Sequence, residues 1–284
     1  MSAKLIDGKE IANQIQDEIK KEAELLKTEK RITPGLAVVL VGQNPASEIY
    51  VSYKEKACKR LGFYSEKHQL NENSPTEEVL DLVKRLNHDK KIHGVLVQLP
   101  LPKQINQEKI INAVHPDKDV DGFLPMSLGN LVLGRDGFVP CTPQGIIELL
   151  KREKIEIPGK RAVVVGRSIT VGRPLSFLLL HNHATVTICH SKTVNLAGVT
   201  RQADILVVAI GRPKFITGEM IKPGAVVIDV GVNRLEGKLC GDVDFDSAKE
   251  KAGMITPVPG GVGPMTIAML MKNTLKAARM ANGA

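Results

Sequence analysis

The residues best equipped for chemistry fall into two groups, and the first is Arg161–Pro174, RAVVVGRSITVGRP. An apolar β-branched run, Ala162–Val165, stops at Gly166. A polar turn follows, and a second glycine, Gly172, precedes an apolar helical pattern over Pro174–Leu180. Strand, glycine turn and helix in that order bring backbone N–H groups and a helix N-terminus up to a phosphate. The spacing is not the GxGxxG fingerprint, so a purely architectural turn is the competing reading. Context favours a dinucleotide. The next predicted strand, Ala184–Cys189, runs into Cys189-His190-Ser191-Lys192, at the place where NAD-binding folds set an acid on the ribose 2′-hydroxyl. No carboxylate stands there. Ser191 and Lys192, with Arg167 from the glycine turn, suit a 2′-phosphate, which favours NADP over NAD. Two further apolar runs, Asp204–Gly211 and Ala225–Asn233, end in glycine at the same edge, and Gly231-Val232-Asn233 can set backbone groups against a nicotinamide.

The second group lies in the first half of the chain. Tyr50 and Lys54 are four apart on a predicted helix and share one face. An exposed helix surface explains such a pair as well as a site does. YxxxK is also the spacing of short-chain dehydrogenases, but there the glycine turn comes first, and here it follows by more than a hundred residues. Gln98 closes a buried strand just before Leu99-Pro100, where it is either a hydrogen-bond filler or a group aimed at a ligand. Asp119 and Asp121 sit in PDKDVDGF. Turn formation accounts for Asp121-Gly122. A carboxylate gripping the N–C–N edge of a heterocycle is the sharper alternative.

Helical and strand patterns alternate along the chain, the signature of α/β architecture. Helices are predicted over Ile6 to about Glu29, Ala46–Leu61, from Ser74-Pro75, from Thr142-Pro143 to about Glu153, and over Thr266–Met280. Strands are predicted at Gly35–Gly42, Phe63–Leu70, His93–Leu101, 161–165, 184–189, 204–210 and 225–230. Pro116–Pro143 reads as a crossover without sustained periodicity, and Pro257–Met265 as a rigid loop. At 284 residues two domains are expected. They are a first domain over 1–140, to which a C-terminal helix, 265–284, returns, and a Rossmann-like domain over 141–264.

A net charge of +8 asks for an anionic partner. With no tryptophan, three tyrosines and six phenylalanines the chain is poorly equipped to stack nucleic-acid bases, so anionic small molecules are the economical choice. A nucleotide-sensing module whose basic face binds RNA is the competing class, and it requires salt-sensitive RNA retention without catalysis. Cys58, Cys141, Cys189 and Cys240 are scattered without a CxxC, and the histidines lack metal-binding spacing, so no disulfide and no metal is expected. No apolar run reaches the length of a membrane span, and the N-terminus lacks a signal-peptide core. A cytoplasmic location without membrane contact follows.

Seen together, Tyr50-x-x-x-Lys54, Gly94–Pro102 (GVLVQLPLP), Asp117–Phe123 (DKDVDGF), Cys141-Thr-Pro-x-Gly145, Gly166-Arg-Ser168, Val171-Gly172-x-Pro174 and Pro257–Thr266 (PVPGGVGPMT) fall in a characteristic order. In this the chain resembles the bifunctional methylenetetrahydrofolate dehydrogenase/methenyltetrahydrofolate cyclohydrolases of the FolD type, over nearly its whole length. Thr170, Leu124 and Ser127 depart from that pattern at positions outside the chemistry. The resemblance implies a three-layer α/β/α catalytic domain, a Rossmann-like NADP domain and a cleft between them. It also implies a homodimer and two reactions of one-carbon metabolism that supply purine biosynthesis. The first is oxidation of 5,10-methylenetetrahydrofolate by NADP⁺, and the second is hydrolysis of the methenyl product to 10-formyltetrahydrofolate. Lys54 would carry the proton, Gln98 would steer it, and Asp121 would hold the pterin. Tyr50, Ser47, Leu99, Pro100, Pro259, Gly260 and Gly261 would line the folate site. Gly166, Arg167, Ser168, Ser191 and Val232 would hold the cofactor.

Overall fold

A computed structural model of the chain describes residues 2–281; the last three residues of the expected 265–284 segment lie outside it. Its first half runs from strand β1 (Lys4–Leu5) through helix α1 (Gly8–Lys30), β2 (Gly35–Val41), α2 (Pro45–Leu61), β3 (Tyr64–Leu70), α3 (Thr76–His88) and β4 (Gly94–Val97). Helices α4 (Gln107–Asn112), α5 (Pro125–Val132) and α6 (Cys141–Arg152) follow. Then come β5 (Arg161–Val165), α7 (Gly172–His181), β6 (Thr185–Cys189), α8 (Leu196–Thr200), β7 (Ile205–Val208) and β8 (Val226–Asp229). A short hairpin, β9 (Asn233–Leu235) and β10 (Lys238–Cys240), precedes α9 (Phe245–Lys249), β11 (Met254–Ile255) and α10 (Val262–Met280).

These elements form two compact units, one of Asn13–Cys141 with Ile267–Ala284 and the other of Met1–Ala12 with Thr142–Thr266. The first, the Lys54 unit, is built on a parallel sheet of order β3-β2-β4. Central β2 is buried along its whole length, which is why GLAVVLV reads as an unbroken apolar run. Ala37, Val39 and Val41 on one of its faces pack with Val95 and Val97 of β4, with Val79, Leu82, Val83 and Leu86 of α3, and with Ile110 of α4. Within this unit α10 is tied down by Asn273, whose Nδ2 donates to the carbonyls of Val120 (2.8 Å) and Val139 (3.1 Å), and by an ion pair from Lys276 to Asp136.

The second, the glycine-turn unit, is a six-stranded parallel sheet of order β1-β11-β8-β7-β5-β6. One face carries Val163, Val165, Leu206, Val208 and Val227, packed against Ala203, Ile216, Ile221, Ala248 and Ala252. Residues up to Ala12, assigned above to the first domain, cluster here instead. The cause is local: Lys4 and Leu5 pair with Met254 and Ile255, and Ile6 is fully buried with its N–H on the Ile255 carbonyl at 2.9 Å.

Several boundaries also move. The stretch expected as a crossover contains α5, which has Pro125 in its first turn, a place where its missing N–H costs nothing. The PVPGGVGPM loop gives its last four residues to α10. Strand β4 ends at Val97, although the Gln98 N–H still reaches the Val39 carbonyl at 2.8 Å before Pro100, which has no N–H to offer. Among the described residues no helix is long and apolar enough to cross a membrane.

Candidate active site

Helix α2 presents the first chemical group. Pro45 occupies its first position, and the Asn44 side chain accepts the Ser47 N–H at 3.1 Å, an ordinary N-cap. One turn on, Tyr50 and Lys54 share a face. Lys54 is only 8% exposed, and its Nζ donates to Gln98 Oε1 at 2.8 Å. The Gln98 amide donates in turn to the Leu99 carbonyl at 2.7 Å, which fixes which end of the amide faces the lysine. Leu99 and Pro100, joined by a cis peptide, continue the chain directly from that contact. Ser47 is buried on the same helix.

Asp121 completes the group. Asp119, next in line but one, is the residue that shapes the turn: its buried carboxylate accepts the N–H groups of Phe123 (3.1 Å) and Leu124 (2.9 Å) and the Ser127 hydroxyl (2.6 Å). The turn formation expected of Asp121-Gly122 thus falls to Asp119, and Ser127, one of the departures noted above, has a definite partner. Asp121 is left free of that task and lies in the field of Lys54. Removal from water pushes its carboxyl up to about 6, with Lys54 pulling the other way and Asp119 adding to the rise. Burial lowers Lys54 from the usual lysine range, and Asp121 and then Cys141 oppose that shift. Burial likewise raises the Tyr50 phenol.

Cys141, given no role from sequence, belongs to this cluster. It is fully buried, with Sγ 3.4 Å from the Val120 carbonyl, and burial followed by the charge of Asp121 pushes its thiol well above the usual range. Only its place in the CTPxG segment hinted at this. Asn273, 3.7 Å from the same sulfur, gave no sequence signal at all.

The second group sits at the carboxyl edge of the six-stranded sheet. A Cβ on Gly166, at φ +128°, would lie 2.2 Å from the Ala209 carbonyl oxygen, and one on Gly172 would lie 2.1 Å from the Gly166 oxygen. The turn is closed by Ser168, whose Oγ accepts the N–H groups of Val171 (3.1 Å) and Gly172 (3.3 Å). Val165 pairs with Cys189 across the sheet, and the Gly166 N–H reaches the Cys189 carbonyl at 2.9 Å. Arg167 and Ser191 thus leave neighbouring strands at the same end, and both are exposed. A backbone cradle that excludes side chains, flanked by a guanidinium and hydroxyls, fits a phosphate-bearing dinucleotide. Val232, half exposed, lies three residues beyond the end of β8 on the same edge. Pro259, Gly260 and Gly261 belong to this unit too, where the Gly260 carbonyl accepts the Lys9 N–H at 2.9 Å and Gly261 packs on Gly8.

Two family models match the chain: the catalytic domain of tetrahydrofolate dehydrogenase/cyclohydrolase over residues 6–121 and its NAD(P)-binding domain over residues 140–282. Over 280 residues the chain is 59% identical to the bifunctional protein FolD of Moorella thermoacetica, an alignment that covers 98% of this chain and all of that protein. The crystal structure of the FolD enzyme of Campylobacter jejuni superposes with a TM-score of 0.96 at 50% identity, covering 98% of this chain and 99% of that one. The Trypanosoma brucei methylenetetrahydrofolate dehydrogenase-cyclohydrolase, solved with NADP cofactor and an inhibitor, does so at 0.96 and 41% identity over the full length of both. A buried lysine beside a carboxylate in one unit, a glycine cradle in the other and this breadth of similarity agree, and the chain belongs to the tetrahydrofolate dehydrogenase/cyclohydrolase family.

Proposed function

We propose that this chain oxidises 5,10-methylenetetrahydrofolate with NADP⁺ and then hydrolyses the methenyl product to 10-formyltetrahydrofolate. The observation that carries this reading is the buried Lys54 ammonium-or-amine, bonded to Gln98 and flanked by Asp121. In the first reaction the dinucleotide supplies the hydride acceptor, and the folate nitrogens stabilise the cation left on the one-carbon bridge. Little acid–base help is needed; the protein's part is positioning. Asp121 grips the pterin N–C–N edge, and Tyr50 stacks on the aromatic portion. Ser47, Leu99 and Pro100 line the folate. On the cofactor side the Gly166 cradle with Ser168 holds phosphate, Arg167 and Ser191 take the 2′-phosphate, and Val232 flanks the nicotinamide.

The second reaction needs a proton carrier. Water attacks the cationic methenyl carbon, and neutral Lys54 takes the proton released as the C–O bond forms. The C–N bond to N5 then breaks: N5, which carries no hydrogen in the methenyl form, takes the proton back from the Lys54 ammonium, while the new hydroxyl gives its own proton to water as it becomes a carbonyl. Gln98 accepts one Nζ–H and so turns the lysine lone pair toward the bridge. Burial beside a cationic substrate favours the neutral amine that this step requires.

In the same reading the Asn13–Cys141 unit with α10 binds folate, and the Thr142–Thr266 unit binds the dinucleotide. The enzyme works as a cytoplasmic homodimer, without nucleic acid or membrane. Mixing methylenetetrahydrofolate with NADP⁺ and following NADPH formation is the direct test. Reduction of NADP⁺, followed by decay of methenyltetrahydrofolate absorbance, is expected. Absence of reduction together with salt-sensitive retention of RNA overturns the reading in favour of a nucleotide-sensing module.

A further inference from the structure

Two buried carboxylates in the glycine-turn unit take no part in the chemistry above. Asp242 is fully buried, and Asp229 is 4% exposed. Every bond they accept comes from a neutral N–H. Asp242 Oδ2 takes the N–H groups of Ile210 (2.6 Å) and Gly211 (2.9 Å), while its Oδ1 takes that of Arg212 (2.8 Å) and the Asn233 side-chain amide (2.8 Å). Asp229 Oδ1 takes the N–H groups of Gly231 and of Asp242 itself, both at 2.9 Å, and its Oδ2 takes that of Val243 at 2.9 Å. The two form a relay, in which Asp229 seats the Asp242 backbone and Asp242 seats three consecutive residues after β7.

The backbone is shaped around these groups. A Cβ on Gly231 would lie 2.3 Å from Asp242 Cγ, and one on Gly241 would lie 1.8 Å from Asp229 Oδ2. The segments that the relay ties down are those leaving β7 and β8 at the carboxyl edge, where ligands of open parallel sheets gather. Ala209, just before the first pinned residue, is the one packed on Gly166. Val232 lies between Gly231, bonded to Asp229, and Asn233, bonded to Asp242, yet its own side chain is 50% exposed. A residue fixed on both flanks and bare at its tip is a surface held ready for something.

We propose that Asp242 and Asp229 are positioning residues for the dinucleotide, holding Ile210–Arg212 and Gly231–Asn233 as a rigid platform for its nicotinamide half. This rests on the assignment of the unit to NADP binding. The test compares Asp242→Asn, Asn233→Ala and Gly231→Ala, the last displacing the Asp242 carboxylate without changing any charge. NADP⁺ affinity is titrated, the KM and kcat of the dehydrogenase are measured, and methenyltetrahydrofolate hydrolysis is followed without dinucleotide. Asp242→Asn puts an amide NH₂ where an oxygen accepted N–H donors. It is expected to raise the NADP⁺ KM about tenfold or more, equivalent to ~1.4 kcal/mol. Gly231→Ala should do the same, and Asn233→Ala, which removes one bond of four, should do so more weakly. In all three, hydrolysis should stay within about twofold of the parent rate, a split that general unfolding does not produce. Unchanged NADP⁺ affinity in Asn233→Ala and Gly231→Ala overturns the proposal, as does an equal fall of both activities. A parent enzyme that reduces no NADP⁺ overturns the functional reading instead, so the two failures are distinguishable.

Discussion

Lys54 and Asp121 hold each other's protons in check, and that coupling is what a substitution should expose. Burial lowers the lysine and raises the carboxyl to about 6, while their mutual attraction opposes both shifts. Lys54→Met removes the proposed proton carrier, and the loss of methenyl hydrolysis is expected to be about 10²–10⁴-fold, the usual worth of a positioned acid or base. Hydride transfer, which needs no proton at that step, should survive in part. Hydrolysis near the parent rate rules Lys54 out. Asp121→Asn separates charge from shape. Without the carboxylate the Lys54 ammonium loses its attractive partner, so its pKa falls further, and neutral amine is present at lower pH. The rising acid limb of the hydrolysis profile should therefore move toward acid, while the folate KM should rise as the proposed pterin grip loses one arm. A limb that stays where it is in the parent means that Asp121 is not in the field of the titrating group. The Lys54–Gln98 contact, 44 residues apart in sequence, rests on the β2–β4 register, in which Val39 faces Val97 and the Gln98 N–H reaches the Val39 carbonyl. Residue types and helical spacing pointed to each partner singly; their meeting is a property of strand pairing that no local pattern contains.

Among the elements, the β5–turn–α7 segment places the most severe demand on one residue. At φ +128° and 2.2 Å from the Ala209 oxygen, a methyl group at Gly166 is strained in its own backbone and collides with a neighbouring strand end. Gly166→Ala is expected to weaken NADP⁺ binding at least tenfold, from ~1–3 kcal/mol of strain, while leaving cofactor-free hydrolysis in place. Equal binding by variant and parent means that the phosphate lies elsewhere. Arg167→Ala with Ser191→Ala leaves the cradle intact and should narrow the preference for NADP over NAD; an unchanged ratio removes both residues from 2′-phosphate recognition. This segment was readable in advance because β5 is buried along Ala162–Val165 and the turn chemistry follows at once. Elements of two or three residues were not. β1 and β11 are too short to show a period, and the β9–β10 hairpin turns on Glu236-Gly237, both at positive φ, where Asn-Gly or Asp-Gly would have signalled it. Helix α5 was hidden by Pro125 and Gly129, helix-compatible only because one sits at the start and the other is tolerated. Asp229 and Asp242 were invisible for a different reason. Their importance lies in glycines that leave them room and in N–H groups up to 32 residues away.

At the level of the entire chain, the sheet that carries the glycine cradle is completed by its first residues. Ala3, Lys4 and Ile6 donate their N–H groups to the carbonyls of Lys249, Gly253 and Ile255, and Lys4 Nζ meets Glu153 at 2.6 Å. The exposed ion pair adds little. Ile6, with none of its surface exposed, supplies the apolar anchor. Truncating it to alanine removes buried methyl and methylene groups, at a cost of ~2–5 kcal/mol. Because, among the described residues, the strand it anchors pairs only with β11, the loss should be felt first along β11 and β8 and not along β2. Amide hydrogen exchange resolves this, since local openings are reported strand by strand. In Ile6→Ala, protection is expected to fall at Met254–Ile255 and Val226–Asp229, with Gly35–Val41 exchanging as in the parent. Added NADP⁺ should restore part of the lost protection, since a ligand of the native unit stabilises it by mass action. Equal loss along Gly35–Val41 would place the first residues with the Lys54 unit instead. The chain would then divide where its sequence alone suggested, near residue 140, and not also at Ala12.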